Sequence, residues 1–424
     1  MAPQSLSTLR GIPSLPAGLL ARVFHYCDDF DPEASSEGYL DWIAVLRTCR
    51  HWYYAGAGCS SLWRTVCFSR GQSWVLEVVK RSRGTPLAIA ILKYEDIEAT
   101  RLLLDRLEAG RVRALYISVD MSQYDAFAGA TGNLAAALAH LERLDMRAVH
   151  SSADDDLHLP DFFPYRLPSL IHLHITAECD VSGIPDVPAL ESLSIHNSAA
   201  GGPDSGGTVD VEELLEALRR MPRLQHLSLA GILPIFDDEV DAMTIAKTDL
   251  PELRSLCLRG HAGEYTALCD FLSVPTRARI ALKYELDDCS FVDGVASSAA
   301  KLFSRTLPSG RTECRELRSL AISDTARGFT IRGSSYLTGA DSTLHGDFKF
   351  TCTLFGGWRR PRDDPNLADF LTLFETAPLS NVCALSIVGP VANGYILPVR
   401  ASDALFPNIV PMRHSMTLIC NRRT

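Results

Sequence analysis

Leu170-Ile171-His172-Leu173-His174-Ile175-Thr176 and Leu190-Glu191-Ser192-Leu193-Ser194-Ile195-His196 obey one rule: Leu at the first and fourth positions, Ile at the sixth. Successive side chains of a strand point to opposite faces, so the fourth and sixth positions share one face and the residues between them share the other. The first Leu closes the turn into the strand. The template Leu-x-x-Leu-x-(Leu/Ile/Met) recurs at Leu141-Leu144-Met146, Leu224-Leu227-Leu229, Leu253-Leu256-Leu258 and Leu317-Leu320-Ile322. Looser copies sit at Val112-Leu115-Ile117 and Val382-Leu385-Ile387. Pro168, Pro188, Pro222 and Pro251 each stand two residues before the first Leu. The middle apolar positions fall at 115, 144, 173, 193, 227, 256 and 320, in steps of 29, 29, 20, 34, 29 and 64.

Most of these steps lie near the period of a leucine-rich repeat, about 20–29 residues. One coil cannot bury its apolar face alone, whereas stacked coils bury a continuous core. The expected fold class is therefore α/β: an irregular leucine-rich-repeat solenoid over residues 85–424 with a parallel sheet on its concave face. Helical stretches such as Val211 to Met221, with Leu214, Leu215 and Leu218, supply the outer layer. The pattern fails in the long step after Leu256, which holds only a weak copy, Ile280-Ala281-Leu282. Farther on, Phe329 to Leu354 alternates and turns at Gly339-Ala340-Asp341, which predicts an inserted hairpin near 329–354. Outward-facing positions form columns across the strands: His172, Ser192, His226 and Ser255; His174, Ser194, Ser228 and Cys257; Thr176, His196, Ala230 and Arg259. Solenoids bind along the concave face, so His172, His174, His196, His226 and Arg259 are the candidate residues for holding a target protein. His172 and His226 lie two strands apart, about 9.6 Å at 4.8 Å per strand. No carboxylate or Cys completes a ligand set with them, so no metal is expected.

Residues 1–84 read differently. They hold 9 Lys plus Arg and 7 Asp plus Glu, a charge of +2, which leaves −12 for the rest of a chain whose net charge is −10. Leu19, Leu20, Val23, Phe24 and Cys27 mark one helical stripe, with Ser14 as a candidate N-cap. The acidic stretch 28–38 carries Asp28, Asp29, Asp31, Glu33 and Glu37 with no basic residue, and reads as a solvated loop. A second helix is expected from Leu40 to Tyr54, ended by Gly56 and Gly58. Ser61-Leu62-Trp63-Arg64 opens a short third, and Ser73 to Arg83 forms a fourth. Gly84-Thr85-Pro86 stops that helix, and Leu87 to Ile91 reads as a buried strand.

Leu15-Pro16, Leu19-Leu20, Val23-Phe24, Cys49-Arg50-His51-Trp52 and Leu62-Trp63 follow one another in the order, spacing and residue types of an F-box. Residues Ile12 to Phe68 thus resemble that family. The long acidic loop and the helix Trp74 to Ser82 are similar to those of mushroom-type fungal F-box proteins. The resemblance implies a substrate-receptor subunit of a Skp–cullin–F-box ubiquitin ligase. The helices dock on the Skp adaptor, and through it a cullin, while the repeats hold the target. An F-box and repeat scaffold that binds partners without ubiquitination is the alternative. No catalytic residue and no cofactor are implied, because holding a target beside a charged conjugating enzyme raises the effective concentration of its Lys. Leu15, Pro16, Leu19, Leu20, Val23, Phe24, Trp52, Leu62 and Trp63 are the candidate adaptor contacts, since aliphatic and aromatic anchors dominate interface energy.

The remaining features exclude other classes. With 46% hydrophobic and 22% charged residues, the chain has the material for a sizeable core. Its acidic balance argues against a general nucleic-acid binder. The longest apolar run, Leu87 to Leu92, is far short of the roughly 18–20 residues of a membrane span, and Met1 to Gly11 has no signal-peptide pattern. The 12 Cys include no Cys-x-x-Cys pair, which suits reduced thiols and a cytoplasmic or nuclear location. Asp204-Ser205-Gly206-Gly207 matches a protease tetrapeptide, but lies in a Gly-, Pro- and Ser-rich stretch without its partner motifs. It reads as a loop, as does Asp154-Asp155-Asp156. A hydrolase is the least favoured reading.

Overall fold

The computed structural model describes residues 15–26, 41–68, 71–92, 102–103, 110–120, 138–149, 157–158, 167–176, 179–180, 187–196, 211–232, 246–260, 268–269, 271–275, 277–286, 304–306, 312–314, 319–325, 328–334, 348–354 and 384–388. Ser14, the acidic loop 28–38, Asp154 to Asp156, Asp204 to Gly207 and the turn at Gly339 to Asp341 lie outside them. The chain divides into two compact units: Met1–Asp155 with Pro164–Leu170, and Asp156–Phe163 with Ile171–Thr424.

The first unit opens with α1 (Ala17–Tyr26), α2 (Asp41–Leu46) and α3 (Arg50–Gly58). Pro16 starts α1: its carbonyl accepts from Leu19 N at 2.9 Å and Leu20 N at 3.1 Å, and Pro needs no amide partner of its own. The single helix expected over Leu40 to Tyr54 is two. The chain turns at Cys49, whose backbone is extended (φ −159°, ψ 165°), so that α2 and α3 pack against each other. The expected stop at Gly56 is also corrected: α3 runs through it, and Gly56 is buried. A Cβ there would overlap the Leu46 side chain and come within 3.4 Å of the Phe24 ring. The absent side chain is what lets the helices close.

One turn of 3-10 helix, Ser60–Trp63, replaces the expected third helix. It leads into β1 (Thr65–Cys67), because β-branched Thr65 and Val66 suit a buried edge-to-edge pairing better than a helix. Then α4 (Gln72–Ser82) lays Val75 and Val78 inward and stops where Arg83 (φ 46°) and Gly84 (φ 84°) turn left-handed. β2 (Leu87–Ile91), β3 (Val112–Asp120) and β4 (Arg143–Val149) follow. The four strands run parallel in the order β1-β2-β3-β4. Ile89 pairs with Leu115, and Leu115 with Leu144, all three buried.

In the second unit, β5 (His172–Thr176), β6 (Ser192–His196), β7 (His226–Ala230), β8 (Ser255–Gly260) and β9 (Arg279–Leu286) form a parallel ladder in chain order. Leu173, Leu193, Leu227, Leu256 and Ile280 stand in one register line, and Ile175, Ile195, Leu229, Leu258 and Leu282 in the next. Every one of these ten side chains is at most 1% exposed. The weak copy at Ile280 is therefore a full member of the ladder. α5 (Val211–Arg219) buries Leu214, Leu215 and Leu218.

Beyond β9 the order departs from chain order. β12 (Phe348–Leu354) pairs parallel with β9, and β11 (Gly328–Ser334) pairs antiparallel with both β12 and β10 (Ser319–Thr325). β13 (Ala384–Val388) runs parallel to β10, aligning Leu385 with Leu320 and Ile387 with Ile322. The result is a mixed α/β fold: a short helical region at the N-terminus and a mostly parallel sheet.

A recurring turn enters these strands. Leu170 N donates to Leu167 O, Leu190 N to Val187 O and Leu224 N to Met221 O, each at 3.1 Å, and Leu253 N donates to Leu250 O at 3.2 Å. Each is an apolar-Pro-x-Leu β-turn in which Pro at the second position presets φ. The residue before each Pro is buried, a regularity the Leu template alone did not include.

Candidate functional site

α1 carries two apolar pairs four residues apart, and the structure separates them. Leu20 and Phe24 are fully buried, and Phe24 meets Trp52 of α3 edge-on at 5.8 Å between ring centroids. Leu19 and Val23 are 48% and 43% exposed. Pro16 is exposed and Leu15 half-buried at the start of the same helix. His51 Nε2 lies 2.8 Å from the Leu15 carbonyl and ties that end of α1 to α3. Leu15, Pro16, Leu19 and Val23 thus line an accessible apolar edge, with Trp52 half-buried behind it.

Four of the nine expected adaptor contacts lie elsewhere. Leu20, Phe24, Leu62 and Trp63 are core residues of the unit rather than accessible anchors. Phe24 is covered by α3, which approaches it closely at Gly56, and Leu20 is buried one turn earlier on α1. Trp63 is held by its own chemistry: its indole Nε1 donates to the Gly56 carbonyl at 2.9 Å, and its ring packs on Trp74 at 5.6 Å.

Arg81 of α4 covers the outer side of that cluster. Its guanidinium lies 4.5 Å from the Trp63 ring centroid and 5.9 Å from that of Tyr53, donates to the Tyr53 hydroxyl at 3.4 Å, and pairs with Glu77 one turn back. Burial would lower the Arg81 pKa, but the hydrogen bonds to Tyr53 and Glu77 hold it above its ordinary value. The Arg81 hydrogen bond holds the Glu77 carboxyl below its usual range. Nothing local in the sequence announces this clamp, because Tyr53 and Arg81 are 28 residues apart.

The second candidate surface is the face of the ladder opposite its Leu and Ile lines. The register aligns His172 with Ser192, His226 and Ser255; His174 with Ser194, Ser228 and Cys257; and Thr176 with His196, Ala230 and Arg259. His226 and Arg259 are exposed, while His172, His174 and His196 are half-buried. The His174 and His196 rings meet edge-on at 5.2 Å. Thr176 Oγ1 is 3.1 Å from His174 Nε2, and His196 Nε2 sits between Ser194 Oγ at 3.2 Å and Ser228 Oγ at 3.1 Å. These imidazoles are therefore fixed by neighbouring hydroxyls, ready to donate or accept at a polar surface. The ladder continues with Arg279 and Lys283, both exposed, paired with Ser255 and Arg259. These two were missed. Their signal was parity, since each lies an odd number of residues from buried Ile280 and Leu282.

The chain has no match among curated proteins. Residues 12–69 match the model of the F-box-like family, the segment that holds α1 to α3, the 3-10 turn and β1.

Proposed function

We propose that this chain is the substrate-receptor subunit of a Skp–cullin–F-box ubiquitin ligase, acting without catalytic residues or cofactor in the cytoplasm or nucleus. F-box domains generally bind the Skp adaptor, and the F-box-like match supports an adaptor role. The observation that carries the reading is the apolar edge of α1. Large aliphatic groups left half-exposed together on one helix, Leu19 and Val23 beside Pro16, are what a partner helix covers. In this reading residues 1–84 dock and residues 85–424, as leucine-rich repeats, hold a target through His172, His174, His196, His226 and Arg259.

The test is co-expression with a Skp adaptor and a cullin. The unaltered chain is expected to capture both. Leu19→Asp combined with Val23→Asp should reduce adaptor capture at least tenfold while leaving the circular dichroism spectrum unchanged, because both side chains are outside the core. Unchanged capture would refute the docking edge. Adaptor capture with no cullin in the complex would favour the scaffold that binds partners without ubiquitination.

A further inference from the structure

The apolar edge of α1 is bordered by positive charge. Arg22 is exposed three residues past Leu19, which makes it a neighbour of Leu19 on the helix surface. At the other end of the edge, His51 is anchored to the Leu15 carbonyl. Beside His51 in the chain stand Arg50, the first residue of α3, and Arg47 in the turn before it, both exposed. Arg22, Arg47 and Arg50 have no side-chain partner among the described residues. From Leu15 to Tyr26 and from Trp42 to Leu76 the sequence contains no Asp or Glu. The start of α3 argues that this charge does not serve local stability. A helix N-terminus favours a capping side chain and acidic residues in the first turn. α3 has Arg50 and His51 in that turn, no acidic residue there, and no side-chain cap hydrogen bond from Cys49. His51 is accounted for by its tie to Leu15. Arg50 opposes the helix dipole and gains no partner in exchange, and departures of this kind from a local rule are expected at functional positions.

We infer that Arg22, Arg47 and Arg50 form a steering rim beside the adaptor-docking edge, and that the face of the Skp adaptor which covers Leu19 and Val23 is acidic; this step rests on the docking reading above. Apolar groups buried on docking set how long a complex lasts. Exposed rim charges act before contact and raise the association rate. A second copy of the chain is the wrong occupant, because a symmetric contact sets the same patch against itself and would bring the three Arg toward their own copies. An anionic membrane is the other surface that suits apolar groups beside Arg. Membrane-surface helices, however, are rich in Lys and Arg along their polar face, whereas α1 has ten residues and one Arg.

The experiment immobilises the full chain, kept soluble as a fusion to a carrier protein, and reads association and dissociation of the purified Skp adaptor by biolayer interferometry. At about 50 mM salt, Arg22→Glu, Arg47→Glu and Arg50→Glu together should slow association at least about tenfold and change dissociation less than about threefold. At about 300 mM salt, where exposed charges are screened, the two chains should associate within about threefold of each other. Arg220→Glu, Arg223→Glu and Arg277→Glu together make the same change in net charge at exposed positions of the second unit, and should leave association within about threefold of the unaltered chain. The melting temperature of the rim variant should not fall, since Glu suits the start of α3 better than Arg. Equal slowing by the rim and control variants, association indifferent to the rim variant, or tighter capture by vesicles of anionic phospholipid than by the adaptor overturns the inference. Pairing of the three Arg with the chain's own acidic stretch 28–38 would show as that indifference. An unaltered chain that captures no adaptor refutes the docking reading and the steering rim with it, whereas capture without a rim effect refutes the rim alone.

Discussion

Gly56 concentrates the packing of the N-terminal helices. It is buried, its position leaves no room for a methyl group beside Leu46, and its carbonyl accepts both the Trp63 indole at 2.9 Å and the Cys59 amide at 3.2 Å. Gly in a helix interior ordinarily costs about 1 kcal/mol relative to Ala, and here close approach overrides propensity. Gly56→Ala should therefore destabilise the first unit by about 1–3 kcal/mol, the cost of overpacking, rather than stabilise it as at an exposed site. A urea titration followed by Trp fluorescence measures this, and an unchanged or raised midpoint would show that Leu46 moves aside freely. The expected stop at the two glycines is right for Gly58, where α3 ends, and two residues early at Gly56, which a neighbouring helix requires.

At the scale of elements, α4 and the strand-entry turns show two kinds of order. The i,i+4 pair of Glu77 and Arg81 extends into a contact with Tyr53 and Trp63, so one helix face latches onto another element. Because the Glu77 carboxyl is held below its ordinary value in the fold, its stabilisation is present above the unfolded carboxyl range and is lost as pH falls through the folded value. Glu77→Gln should lower the melting temperature by a small amount at pH 7, in keeping with a half-exposed pair. The gap between variant and unaltered chain should narrow as pH falls below the ordinary carboxyl range and close once the folded carboxyl is protonated. A gap that does not narrow at all on acidification would mean that Glu77 acts through packing instead. The turns, by contrast, are local. Pro168, Pro188, Pro222 and Pro251 preset a bend whose hydrogen bond recurs at 3.1–3.2 Å, so the strand starts were legible from Pro and Leu spacing.

For the whole molecule, the exposed apolar edge is the dominant consequence. Leu19 and Val23, with Tyr54 70% exposed on α3, leave greasy surface on the first unit. Such patches are aggregation liabilities unless covered. The chain expressed alone should partition largely into aggregates, whereas co-expression with the Skp adaptor should raise the monodisperse fraction severalfold by size-exclusion chromatography. A stable monomer obtained alone in equal yield would count against a partner for this face. The His and Arg columns of the second unit are polar and need no cover, so the expected rescue depends on the F-box-like region.

Strand positions, their parity and the columns His172 to Ser255, His174 to Cys257 and Thr176 to Arg259 were determined by the sequence alone. Period-two alternation and a repeated turn are local rules, and each strand obeys them without reference to the others. The tertiary structure alone decided which half of the α1 stripe turns inward. Leu19, Leu20, Val23 and Phe24 are equally apolar and share one broad helical face; the packing of α2, α3 and the 3-10 turn against α1 buries Leu20 and Phe24 and leaves Leu19 and Val23 outside. It also decided the strand order β9-β12-β11-β10-β13, which reverses chain order for three strands. Pairing between distant segments depends on which edges remain free once the earlier strands have assembled, and no local pattern records that.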